Sequence, residues 1–248
     1  MKKLILHIPH ASTNIPFFDG YISDFKKINA EIVKITDWYT DDLFSTQNDD
    51  KLITPFSRVF CDVERFADDN LEKMSKFGMG VLYDKFDDGA IMREVSAKLR
   101  KTILKEYYWN HHNKLTNLVE KHLKTNESCL IVDCHSFPAK TLNRALNKSA
   151  YRPDFNIGTD SFHTPKKLIE LSVNFFESRG YSLGIDSPYS GTMVPITHYK
   201  KEAQVHSIML EVNRKLYLNG ETNIKSKHFK STQQVVQSFL NTIRNYEI

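Results

Sequence analysis

A short apolar run that ends in a polar cluster constrains the fold of this chain more than any other feature. Residues 129–133 are almost all apolar, and the cluster Asp133-Cys134-His135-Ser136 ends the run. Such a run predicts a strand that is buried on both faces, as in the middle of a largely parallel sheet. Open α/β sheets bind ligands at the carboxyl ends of their strands, so the cluster marks the expected site.

Predicted strands and helices alternate along the rest of the chain. This alternation predicts an α/β fold, a three-layer α/β/α sandwich with a mixed β-sheet. No linker, shift in composition or internal repeat marks a boundary, so we expect a single domain over residues 1–248. The predicted strands are 3–8, 51–55, 58–63, 80–83, 129–133, 155–157, 181–185 and 205–212, and the predicted helices are 28–44, 165–178 and 232–246, with one long helix or two abutting ones over 90–123.

Charge and cysteine usage narrow the classes of partner. The 34 Lys and Arg residues are spread among 30 Asp and Glu residues rather than gathered in blocks, so we expect no nucleic-acid partner. The net charge of +4 favours an anionic substrate only weakly. Residues 1–6 are too short for a signal sequence or a membrane span. Cys61, Cys129 and Cys134 lie in apolar stretches without metal-ligand spacing, which predicts reduced core residues in a cytoplasmic protein.

Polar residues at predicted strand ends include two histidines, His10 and His135. Two histidines and one carboxylate form a common catalytic zinc set that leaves a position open for water. Asp37 is the first choice for the carboxylate, and Asp41, one helical turn later, is the alternative. Taken singly, His10 also fits a hydrogen-bonded loop residue, and Asp37 also fits a helix cap.

Glu211 ends an apolar strand and has two interpretations. It is either a general base, with a pKa raised by burial, or the structural ion-pair partner of Arg214. Arg58 and Arg65 flank residues 59–63 and suit an oxyanion contact and a substrate carboxylate contact, or they pair with neighbouring acids such as Asp62.

Other polar residues give weaker signals. The loop Tyr189-Ser190-Gly191 is polar, contains glycine, and suits a segment that closes over a ligand. His111 and His112 are predicted to contact the site from a helix without binding the metal. The remaining histidines are taken as ordinary residues: His7, His122, His163, His198, His206 and His228.

Taken in order, eight motifs over most of the chain resemble the N-formylglutamate amidohydrolase family. That family is similar in fold to zinc carboxypeptidases and aspartoacylases, which implies a phosphorylase/hydrolase-like α/β fold. The resemblance therefore implies one zinc ion bound by His10, an acid and His135, with Glu211 as the general base. The motifs are Pro9-His10-Ala11-Ser12, Asp37-Trp38-Tyr39 with Asp41-Asp42-Leu43, Ser57-Arg58 through Asp62 to Arg65, Tyr107-Tyr108 with His112, Asp133-Cys134-His135-Ser136, Ile157-Gly158-Thr159, Pro188-Tyr189-Ser190-Gly191, and Glu211-Val212-Asn213-Arg214 with Leu216-Tyr217.

The same resemblance implies the substrate. Arg58 would stabilise the oxyanion and Arg65 would anchor the carboxylate of N-formyl-L-glutamate, which is hydrolysed to formate and glutamate. Glu64 departs from the family pattern, which usually has Asn there, and we expect its carboxylate to compete for Arg65. This departure favours, as an alternative, a peptidase or amidase of the same fold that acts on a small peptide or cell-wall fragment. A non-catalytic binding protein and a nucleic-acid binder are further alternatives.

Overall fold

The centre of the fold is a mixed six-stranded sheet formed within residues 3–245, which the computed structural model describes. Along the sheet the strand order is β2-β1-β3-β6-β4-β5. Neighbouring strands are parallel except for the antiparallel pair β4 and β6. The mixed sheet is therefore confirmed. The strands are β1 Ile5–Ile8, β2 Asp50–Ile53, β3 Cys129–Phe137, β4 Phe155–Gly158, β5 Leu183–Ile185 and β6 Val205–Asn213.

Helices cover both faces of the sheet, which confirms the α/β sandwich. Alternate residues of β3 face opposite layers, as period-two side chains must. Val132 packs in one apolar cluster with Phe176 and Phe239, whereas Ile131 packs in another with Leu115. The helices are α1 Phe25–Ile35, α2 Thr40–Leu43, α3 Ala97–Ile103, α4 Trp109–Asn126, α5 Lys166–Glu177 and α6 Phe229–Arg244.

Strand register brings the polar residues of the central strands to one face. His7 lies beside Asp133 and His135 lies beside Glu211 in the parallel ladders. All four occupy the alternation positions that face α4, since Ile131 is on the same side of β3. Three strands that are far apart in sequence therefore bring their ionisable groups to one site.

The predicted helix over residues 28–44 is wrong at its centre. Helix α1 ends at Ile35, Thr36 is extended, and Tyr39 has a left-handed backbone with φ 59° before α2 begins. The break has a tertiary cause, because the Asp37 amide donates to the His10 carbonyl at 3.0 Å instead of continuing the helix. This turn directs Asp37 toward the end of β1.

The predicted strands 58–63 and 80–83 are also wrong. The amides of Phe60 and Cys61 donate to the Ser57 carbonyl, which forms a tight turn, and the Asp62 amide donates to Val81. The buried apolar residues of this region are held by turns rather than by a ladder of backbone hydrogen bonds.

The helical segment predicted over residues 90–123 differs from the structure at its start. The helix predicted to start at residue 90 begins at Ala97 and is capped by the Ser96 hydroxyl. A π-helical segment, Leu104–Tyr108, joins α3 to α4, which agrees with two abutting helices. The predicted end of the last helix, Tyr246, lies outside the described residues.

All three cysteines are free and buried, as predicted. Within residues 3–245 every helix is too short or too polar to cross a membrane. The single domain and the cytoplasmic location stay predictions.

Candidate active site

Two histidine nitrogens converge on one carboxylate oxygen at the end of the central strands. His10 follows β1 and His135 lies near the end of β3. Their Nδ1 atoms lie 3.8 and 3.0 Å from Asp37 Oδ2. All three residues are buried, and one ligand atom of each lies within 4.8 Å of the others. Asp41 is exposed on α2, so the geometry favours Asp37 over the alternative carboxylate.

The opposite nitrogen of each imidazole is held by carboxylates. His10 Nε2 lies 2.9 Å from Asp62 Oδ1, while His135 Nε2 lies 3.1 Å from Glu64 Oε1 and 3.3 Å from Asp133 Oδ1. A carboxylate accepts hydrogen bonds, so each Nε2 carries a proton, and with a metal ion in place each Nδ1 would present its lone pair to the ion. Carboxylates behind metal-binding histidines act in this way in known sites. His10 Nδ1 is buried and has no hydrogen-bond partner among residues 3–245, so a divalent metal ion fits this donor set.

Asp37 is fixed on its other side by Arg214. Arg214 Nη2 lies 3.1 Å from Asp37 Oδ1, and the Ser136 amide donates to Asp37 Oδ2 at 3.2 Å. Burial alone would raise the pKa of Asp37, but the His10 and His135 rings beside it hold that pKa far below its ordinary value. The carboxylate is therefore ionised, as a metal ligand must be.

Glu211 stands beside His135 without the predicted structural partner. Its Oε2 atom is buried and has no hydrogen bond within the described part of the chain, whereas Arg214 donates to Asp37 and to Ser136. Burial raises the pKa of Glu211 to about 8, although the positive charge of His135 opposes the rise. A carboxyl group with this pKa can accept and return a proton near neutral pH.

Arg58 and Arg65 both face Asp62. Arg58 Nη2 lies 2.9 Å from Asp62 Oδ2, and Arg58 Nε donates to the Tyr83 hydroxyl at 3.2 Å. Arg65 Nε lies 3.6 Å from Asp62 Oδ2, and its Nη1 lies 3.9 Å from Glu72. The pairing with Asp62 is therefore real, and both arginines also line the cavity beside His10.

Glu64 does not contact Arg65 in the way the sequence suggested. Its carboxylate lies 3.1 Å from His135 Nε2 and 3.7 Å from both His7 Nδ1 and His10 Nε2. The acid at this position therefore holds histidines of the site, and Arg65 takes its ion pairs from Asp62 and Glu72 instead.

Comparison with known proteins tests the resemblance drawn from the motifs. The sequence profile of the N-formylglutamate amidohydrolase family matches residues 2–218, most of the chain. The chain belongs to this family. No curated protein matches the sequence.

Two solved structures share the fold of this family member. One is the N-formylglutamate amidohydrolase from Ralstonia eutropha JMP134, with a TM-score of 0.85 and 20% sequence identity over 99% of this chain and 95% of that one. The other is a gene product of Agrobacterium tumefaciens, with a TM-score of 0.66 and 15% identity over 98% of this chain and 92% of that one. At these identities the likeness shows the fold. The kinship to zinc carboxypeptidases stays a prediction.

The candidate site of this N-formylglutamate amidohydrolase family member opens into a cavity of about 520 Å³. Tyr189 and Ser190 line it, with the Tyr189 ring 5.7 Å from that of Phe137. Gly191 is absent from the lining. Its carbonyl packs closely on Gly158, where an added β-carbon would lie 2.1 Å from the Gly191 oxygen. The loop therefore forms a wall of the cavity through its first two residues.

Sequence reasoning missed His7, which is fully buried. His7 Nδ1 lies 2.7 Å from Asp133 Oδ1, and its Nε2 lies 2.8 Å from His111 Nε2. Because Asp133 accepts the proton of His7 Nδ1, His7 Nε2 accepts a hydrogen bond from His111 Nε2. The other ring nitrogen of His111, Nδ1, lies 3.3 Å from the Thr54 hydroxyl. The available signal was a histidine inside an apolar strand, which needs a polar partner.

His111 and His112 contact this region from α4 as predicted. Burial lowers the pKa of His111 well below its ordinary value and that of His112 to about 4, so both are neutral. His112 Nε2 donates to the Val63 carbonyl at 2.9 Å, which fixes the turn that carries Glu64.

Proposed function

We propose that this protein is a metal-dependent amidohydrolase that removes the acyl group from a small N-acyl amino acid, with N-formyl-L-glutamate as the substrate. One observation carries the proposal. The Nδ1 atoms of His10 and His135 face Asp37, and their Nε2 atoms face carboxylates. Beside them lies Glu211, whose Oε2 atom has no hydrogen bond to any residue that the structure describes. This is the donor set and base of a hydrolytic metal site.

His10, Asp37 and His135 would hold the metal ion, and zinc is our choice because two imidazoles and one carboxylate suit it. When bound, the ion supplies Lewis-acid activation of water and of the amide carbonyl. Asp62 and Asp133 keep the imidazoles in the tautomer that leaves Nδ1 free.

The remaining steps belong to side chains of this chain. Glu211 takes a proton from the attacking water and returns it to the amide nitrogen as the carbon–nitrogen bond breaks, which yields formate and a free amino group. Arg58 lies beside the cluster and donates to the carbonyl oxygen as negative charge develops there. Arg65 pairs with the α-carboxylate of the substrate.

The size of the cavity supports a small substrate. A volume of about 520 Å³ suits an acyl-amino acid, within the range of small-molecule sites. The family match supports amide hydrolysis.

The test is formate release from N-formyl-L-glutamate by purified protein, after chelation and after zinc is restored. We expect release that depends on zinc and is lost in Glu211→Gln. Short peptides, assayed in parallel, should be cleaved much more slowly. Zinc-loaded protein that cleaves peptides but no N-formyl amino acid would refute the proposed substrate.

A further inference from the structure

Five arginines line the active-site cavity within the described residues, and four of them face a carboxylate. The pairs are Arg58 with Asp62 at 2.9 Å, Arg65 with Asp62 at 3.6 Å, Arg144 with Glu31 at 3.3 Å and Arg214 with Asp37 at 3.1 Å. The remaining arginine of the cavity wall is Arg152.

Arg152 is buried, with 6% of its surface exposed, yet no carboxylate of residues 3–245 lies within ion-pair distance of it. Its Nη1 and Nη2 donate to the carbonyls of Tyr151 at 3.3 Å and Asn147 at 3.0 Å. Its Nε atom has no hydrogen-bond partner in that same range. Backbone carbonyls thus hold the guanidinium in place without neutralising its charge.

A buried charge without a counter-charge is costly, and pairing with an anion offsets that cost. The cavity offers the place for such an anion, since Arg152, Tyr189 and Glu211 line it together. Burial and the charge of Glu211 raise the pKa of Tyr189 to about 12, and the charge of Arg152 opposes the rise. Arg152 therefore shares one cavity with the proposed base, Glu211.

We propose that Arg152 binds the side-chain carboxylate of an acidic acyl-amino acid and so selects the substrate. The proposal rests on the proposed function and deepens it. An acidic acyl-amino acid carries two carboxylates, and the α-carboxylate is adjacent to the amide nitrogen that is released. Arg65 pairs with Asp62, which also contacts His10, so Arg65 suits the α-carboxylate. Arg152 then supplies the second cationic position, with a planar donor fork that matches a carboxylate.

The kinetic test compares two amides of the substrate. N-formyl-L-glutamine lacks the side-chain charge, and N-formyl-L-isoglutamine lacks the α-charge. The wild-type protein should prefer N-formyl-L-glutamate to N-formyl-L-glutamine by about 10- to 100-fold in kcat/KM, the range of a charge-assisted contact. Arg152→Met should bring this ratio close to one while leaving the discrimination against isoglutamine intact.

Control variants separate a binding role from a structural one. Arg152→Lys should restore part of the ratio, since lysine keeps the charge but loses the fork. Arg179→Met removes an arginine that is exposed on the surface outside the cavity, and it should keep the wild-type ratio. The ratio is taken within each variant, so a smaller folded fraction does not change it. An unchanged ratio in Arg152→Met, or loss of the α-carboxylate preference instead, would overturn the assignment.

Calorimetry distinguishes failure of this inference from failure of the proposed reaction. Wild-type protein should bind L-glutamate more tightly than L-glutamine, and Arg152→Met should bind the two alike. If no N-formyl amino acid is hydrolysed but this binding preference depends on Arg152, the proposed reaction is refuted and the role of Arg152 in binding the side-chain carboxylate is supported. If hydrolysis proceeds and both preferences survive in Arg152→Met, that role of Arg152 is refuted. Equal binding of the two amino acids by wild-type protein also refutes it.

Discussion

Replacing Glu211 by glutamine separates three properties of the site: turnover, metal binding and stability. Glu211 is 7% exposed and its Oε2 atom makes no hydrogen bond within residues 3–245, so the amide of glutamine fits the same space with little rearrangement. Loss of a general base lowers kcat by about 10²- to 10⁴-fold, or roughly 3–5 kcal/mol in the activation barrier. Bound zinc should remain at one ion per chain, because Glu211 lies outside the proposed ligand set.

The stability of the metal-free protein provides the third readout. The folded state raises the pKa of Glu211 from 4.5 to about 8, so the folded protein binds this proton more tightly than the unfolded chain. The contribution of this tighter proton binding to the free energy of unfolding is fully present below pH 4.5 and is lost as pH rises through 8. The loss is on the order of 5 kcal/mol. Glutamine does not titrate, so Glu211→Gln lacks this loss. The free energy of unfolding of the variant should therefore rise relative to that of wild type between pH 4 and pH 9.

The assays are formate release, metal analysis and urea unfolding at the two pH values. Glu170→Gln, a change of the same kind at an exposed position of α5, serves as the matched control and should behave as wild type in all three. Turnover within tenfold of wild type in Glu211→Gln would refute its role as the base. An unchanged difference in unfolding free energy between pH 4 and pH 9 would refute its raised pKa.

Three further predictions concern the residues around the metal ligands. Asp37→Ala should abolish zinc binding while Asp41→Ala retains it, as measured by metal content after dialysis; the reverse result would make Asp41 the ligand. Asp133→Asn should weaken zinc affinity about 10- to 100-fold in a chelator competition, because it removes the carboxylate behind His135. Arg214→Met should lower the free energy of unfolding of the metal-free protein by about 3–5 kcal/mol in urea titrations, since it leaves Asp37 buried without its ion pair, and a loss below 1 kcal/mol would contradict this reasoning.

The sequence predicted the central strands well because their signal is local. Each strand contains a continuous apolar run, residues 129–132 in β3 and 208–210 in β6, and both strands are buried along almost their whole length. A run of this kind has few alternatives to a buried strand. The pattern alone therefore placed His135 and Glu211 toward the carboxyl ends of two central strands, while their roles stay predictions.

The parts that failed depend on contacts between distant segments. The periodic pattern of residues 28–44 continues across Asp37, but a hydrogen bond to the His10 carbonyl ends the helix there. The contact of His7 with Asp133 depends on the register of β1 against β3, which no local pattern gives. Arg152 lies in the loop between β3 and β4, where composition carries no structural signal.

The charges of the site give one more testable consequence. Burial works against a charged imidazole, yet nearby carboxylates raise the pKa of both His10 and His135 in the metal-free protein. Protons on these rings supply the positive charge that a bound cation would otherwise provide. Metal ligands must be deprotonated, so zinc binding at pH 7 should release protons from both rings, close to one of them from His135.

This proton release is measurable by titrating zinc into the metal-free protein in buffers of different ionisation enthalpy. His135→Ala should release about one proton fewer, whereas His122→Ala, which removes a histidine that contacts Asp50 instead, should release as many as wild type. Zinc binding without proton release would mean that the two rings are already neutral, and the carboxylates around them would then have to be neutralised by Arg58, Arg65 and Arg214 alone.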